Sequence, residues 1–155
     1  MKTLIPILVL ALSTIHASAI KIGDFAGSWQ GERIETINGA GSYTSAKIIA
    51  TKKNGGGLTV TETGESRQIG GYYTWKHTFK GDGKYQSALY YQGRILSTNS
   101  GSWKNSKGAI AISGTQRSGG SAVRFSGSLK LISGTQLTYK GDSGNVVVTI
   151  TASRL

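Results

Sequence analysis

Beyond its first 20 residues the chain is a succession of short runs in which apolar and polar residues alternate, each run closed by glycine, asparagine or serine. No window holds an apolar period of 3.6 over the dozen positions that a helix needs, and the only proline is Pro6. The connections are of hairpin length. Parallel strands need long crossovers, so the sequence commits the chain to antiparallel strands joined in chain order.

The clearest alternation sets Val123, Phe125, Gly127, Leu129 and Leu131 against Arg124, Ser126, Ser128 and Lys130. The same period runs through Tyr73, Trp75, His77 and Phe79, through Tyr85, Ser87, Leu89 and Tyr91, and through Val146, Val148, Ile150 and Ala152. Turn signals stand at 54–57, 81–83, 99–101, 105–108, 118–121 and 141–145. Strands are predicted near 27–37, 43–53, 58–64, 67–80, 84–91, 93–99, 101–104 with 108–114, 121–133, 135–140 and 145–154, and the one helical turn near 23–26. Eight to ten such strands leave two sticky edges unless the sheet closes. The expected fold is therefore all-β, an antiparallel up-and-down meander closing into a barrel, with a two-sheet sandwich as the alternative.

The N-terminus reads as a leader. Lys2 precedes an apolar run from Leu4 to Leu12, and Ala17 and Ala19 occupy the −3 and −1 positions of a signal-peptidase site. The run is about half of the roughly 20 residues needed to cross a bilayer. Residues 1–19 are thus expected to be a cleaved signal peptide and 20–155 a single domain of 136 residues with no transmembrane segment. The chain has no Cys, which excludes both disulfides and a lipidated cysteine and fits a bacterial periplasm or medium. Without Lys2 the domain holds 17 basic and seven acidic residues, a formal charge of +10. Such a field favours anionic partners, but the basic residues, among them Lys21, Arg33, Lys47, Lys76, Arg94, Arg117 and Arg124, are scattered singly, which reads as a solvated surface with no specific nucleic-acid stripe.

Chemistry is sparse. His77 is the domain's one histidine, and with no Cys and seven scattered acids neither a metal site nor a cofactor is expected. Glu32 and Glu35 fall on opposite faces of one strand, and Glu62, Glu65, Asp24, Asp82 and Asp142 read as strand ends or turns, so no carboxylate pair or triad is indicated. The expectation is a protein that is not an enzyme.

The opening Gly23, Asp24, Phe25, Ala26, Gly27, Ser28, Trp29 resembles the start of lipocalins and fatty-acid-binding proteins, the calycin group. Gly27 and Trp29 match the group's Gly-x-Trp unit, and Arg154, near the end of the last strand, matches the basic residue that covers that Trp. The chain departs from fatty-acid-binding proteins in having no helix-turn-helix between its first two strands. The resemblance implies a calycin-like barrel that carries a small molecule.

Two functions follow. One is an exported, lipocalin-like protein that binds a small apolar or amphipathic ligand through inward-facing Tyr73, Trp75, His77, Phe79, Tyr85, Leu89, Tyr91 and Phe125. The other is an interaction module whose basic surface meets an anionic envelope component or a protein. The bulk of those same rings decides between them, because a barrel they filled completely would carry nothing.

Overall fold

The computed structural model describes residues 19–155; the leader read at 1–19 lies outside the described residues except for Ala19. A single 3-10 turn, Ile22–Phe25, precedes ten strands: β1 Gly27–Ile37, β2 Ala40–Lys53, β3 Gly57–Ser66, β4 Gly71–Phe79, β5 Lys84–Tyr91, β6 Arg94–Ser106, β7 Ala109–Ser118, β8 Ser121–Ser133, β9 Gln136–Asp142 and β10 Val146–Arg154. Each strand pairs antiparallel with the next, and β1 pairs with β10 from Trp29↔Arg154 to Ile37↔Val146. The meander is a closed barrel, and closure leaves no edge strand. Among the described residues no helix is long and apolar enough to cross a membrane.

The turns explain the register. At Asn38–Gly39, Gln92–Gly93, Lys107–Gly108 and Gly119–Gly120 both residues have positive φ, the conformation of the two-residue hairpin whose twist matches that of the strands it joins. The expected turn at 99–101 is not one. Strand β6 runs straight through it, with Asn99 facing inward and Gly101 directly opposite Gly114 on β7. A Cβ on either glycine would collide with the other strand's backbone, so these glycines serve close approach rather than turning. The strand expected at 67–80 begins only at Gly71, because 67–70 form a turn.

One end of the barrel is sealed by its own sequence. Phe25, Trp29, Leu58, Ile110 and Ile150 are almost wholly buried there, each such side chain worth about 1.5–3 kcal/mol of burial. The Trp29 indole donates to the Phe25 carbonyl at 3.0 Å, tying the 3-10 turn across the opening. The Arg154 guanidinium lies 4.3 Å over the Trp29 ring and donates to the Ala26 carbonyl at 2.8 Å and the Gly134 carbonyl at 3.1 Å. Gly27, at φ +143°, leaves room for that guanidinium, which a Cβ would crowd. The opposite end is formed by the β1–β2, β3–β4, β5–β6, β7–β8 and β9–β10 turns.

Candidate functional site

Going from the sealed end towards the open one, the barrel passes from hydrocarbon to a belt of charge and then to empty space. Phe79 and Tyr85 belong to the sealed half, with ring centroids 5.1 Å apart, and Phe79 borders a void of about 40 Å³. These two candidates pack the core and do not face the larger cavity.

The belt is where the sequence reading needs correction. Arg33, read as a solvated surface cation, is 3% exposed, and Glu62, read as a strand end or turn, lies in mid-strand at 3% exposure. Arg33 Nη1 donates to Glu62 Oε1 at 2.6 Å and Nη2 to Glu35 Oε1 at 2.8 Å. Tyr73 donates to Glu62 at 2.5 Å and Ser66 to Glu35 at 2.8 Å. The guanidinium lies 4.9 Å over the Tyr73 ring and 5.6 Å over the Trp75 ring. Burial opposes charge on Arg33, yet the carboxylate of Glu62, the Tyr73 phenol and Glu35 together raise its pKa above the ordinary arginine value. Burial, reinforced by Glu62, pushes the Tyr73 phenol up. A signal for this belt did exist. Arg33 and Glu35 share the strand face of Trp29, and Glu62 shares that of Leu58, so the charges sit at inward positions of otherwise apolar faces.

His77 completes the belt. Its Nδ1 lies 2.8 Å from the Tyr85 hydroxyl, and its ring stacks on Trp75 with centroids 5.2 Å apart. Burial lowers its pKa to about 4; Glu62 works in the other direction and Arg33 adds to the lowering, so the imidazole is neutral near pH 7. Tyr85 is pushed up to about 12 by burial. Trp75 donates to Ser87 at 3.1 Å.

Above the belt lies a cavity of about 600 Å³. Trp75, Leu89, Tyr91, Phe125, Tyr139 and Val148 supply its apolar wall, and Arg33, Glu35, Ser97 and Asn99 its polar surface. Gln68, Ile69, Gly119 and Ser143, from the turns, frame the mouth. Of the residues predicted to contact a ligand, the structure brings Trp75, Leu89, Tyr91 and Phe125 together on this wall. His77 faces the small void instead, and Tyr73 is engaged with Glu62. Val123, read as an inward residue, stands 45% exposed at the rim. Among the described residues no group of three or more His, Asp or Glu side chains is placed to hold a metal ion.

No protein-family model and no curated protein matches the sequence. Solved structures do match in shape. The crystal structure of Rv2717c from M. tuberculosis superposes with a TM-score of 0.60 at 12% identity, covering 85% of this chain and 93% of that one. The S-type phycobiliprotein lyase CPES from Guillardia theta superposes with a TM-score of 0.51 at 10% identity, covering 86% and 90%. At such identities the likeness concerns the fold alone, a closed up-and-down barrel of ten antiparallel strands.

Proposed function

We propose that the protein is an exported, non-catalytic barrel that binds a small apolar or amphipathic molecule in the cavity at its open end. The observation that carries this reading is the division of the interior. The same ten strands are packed solid at one end and enclose about 600 Å³ at the other, within the usual range of small-molecule sites and lined by aromatic and aliphatic groups interleaved with polar ones. The match to a phycobiliprotein lyase is consistent with such a barrel accepting a small ligand. A non-catalytic role is supported by the commitment of the buried acids: Glu35 and Glu62 are both engaged by Arg33, and the Ser66 and Tyr73 hydroxyls already donate to them.

The test is uptake of the neutral fluorophore N-phenyl-1-naphthylamine by the mature domain and by Leu89→Trp, which pushes an indole into the cavity from its wall. Saturable, one-to-one uptake by the wild type and clearly weaker uptake by the variant is expected. No uptake by the wild type, or equal uptake by both, overturns the reading. Export is checked by N-terminal sequencing of the protein from its host, with Ile20 expected as the first residue.

A second reading is favoured by the rim. Arg94, Arg117 and Arg124 are exposed on adjacent β6, β7 and β8 at the open end, beside exposed Ile95 and Val123. This suits contact with an anionic lipid surface of the envelope, and it requires vesicle binding that falls steeply with added salt.

A further inference from the structure

We infer that the cavity selects a ligand whose inner end is an uncharged group carrying both a hydrogen-bond donor and an acceptor, such as a carboxamide, and that it discriminates against carboxylates. The inference rests on the cavity being a binding site and names the chemistry of its ligand.

Charge at the cavity floor is already committed. A buried arginine beneath an apolar cavity suggests a carboxylate receptor, but here the arginine is already matched. Its two terminal nitrogens are given to Glu62 and Glu35, so one guanidinium faces two carboxylates. The remaining charged side chain on the cavity wall is Asp142, also acidic. His77, buried and neutral, adds no positive charge. An incoming carboxylate would leave water to meet a surplus of negative charge, whereas the protein's net positive charge lies on its exterior. Transfer of an unpaired ion into such a site is far costlier than transfer of a neutral polar group.

Hydrogen bonding points the same way independently of charge. Four buried side-chain polar atoms lack a hydrogen-bond partner among the described residues, and three of them, Arg33 Nε, Ser97 Oγ and Asn99 Oδ1, belong to residues that line this cavity. Those residues are 3%, 5% and 7% exposed, so bulk water does not readily serve them. Buried polar groups are normally satisfied, which makes three on one cavity a pattern to be explained. Arg33 Nε–H requires an acceptor, Asn99 Oδ1 requires a donor, and the Ser97 hydroxyl takes either. A carboxylate offers no donor and an ammonium no acceptor. A neutral amide or similar group offers both. Arg33 reaches inward from β1, with its guanidinium over the Tyr73 and Trp75 rings of β4, and Ser97 and Asn99 face inward from β6.

The experiment titrates the mature domain, by isothermal calorimetry in 150 mM salt, with three probes of matched shape suited to the aromatic wall: 2-naphthamide, 2-naphthoate and 2-(aminomethyl)naphthalene. The amide is expected to bind at least about tenfold more tightly than either ion, since a site with buried polar partners rejects analogues that leave them unpaired. Asn99→Ala is expected to remove most of that preference, with the melting temperature measured alongside to confirm the fold, and Ser97→Ala to reduce it. Naphthoate or the amine binding as tightly as the amide overturns this inference and leaves the cavity reading intact. Failure of all three probes, together with no uptake of the neutral fluorophore by the wild type, overturns both.

Discussion

The two halves of this barrel are made from the same strands, yet one is a core and the other a container. In the sealed half Trp29, Leu58, Ile110 and Ile150 meet at the axis and leave a void of about 40 Å³, little more than the space of one water molecule. In the open half Ser97 and Asn99 hold inward positions on β6, Trp75, Leu89, Tyr91 and Phe125 stand along the wall, and about 600 Å³ stays empty. Between them the Arg33–Glu35–Glu62 belt marks the floor. The difference teaches that stability and binding are drawn from separate ends of one sheet, and the comparison can be broken from either end.

The largest effect belongs to the sealed half. Trp29→Ala removes a fully buried indole and the hydrogen bond that fastens the 3-10 turn, and it should cost about 3–5 kcal/mol in urea unfolding. The belt comes next. Glu62→Ala should cost about 3 kcal/mol in the same measurement, at the lower end for a broken buried pair because Glu35 still holds Arg33.

Acid probes the floor through His77. The folded protein keeps this imidazole neutral until about pH 4, whereas in the unfolded chain it takes up a proton near its ordinary value of 6.5. Between these values the unfolded state binds more protons, so stability falls as the pH is lowered from about 6.5 to 4 and is unaffected by His77 above that window. The loss should reach about 3 kcal/mol and be absent from His77→Gln, as read by urea unfolding at stepped pH. The smallest effect is expected at the cavity wall. Leu89→Ala should cost no more than about 1 kcal/mol, because the side chain already borders empty space. A cost near that of Trp29→Ala would erase the distinction between the halves.

The strands were legible because the apolar period of two and the turn vocabulary agree along most of the chain, and β1 and β8 fall on the predicted limits 27–37 and 121–133. The turn expected at 99–101 failed for a physical reason. Asparagine and glycine are turn residues, but Asn99 lines a cavity and Gly101 yields space to Gly114. The aromatic wall was partly legible, since parity alone turns Trp75, Tyr91 and Phe125 inward. How full the barrel would be was not, because that depends on how far along the axis each ring lies. The charged belt escaped because Arg33 and Glu35 come from β1 and Glu62 from β3, and a local reading of single charges assigns each to solvent. Their shared parity with Trp29 and Leu58 was the available clue.

The most direct test of the container at the open end is native mass spectrometry of the protein purified from its own host, followed by extraction and identification of any guest. A mass excess corresponding to one small molecule per chain, apolar in body and uncharged at its polar end, is the expected result. A bare polypeptide mass, together with no uptake of N-phenyl-1-naphthylamine, would contradict the binding function and turn attention to the arginines of the rim.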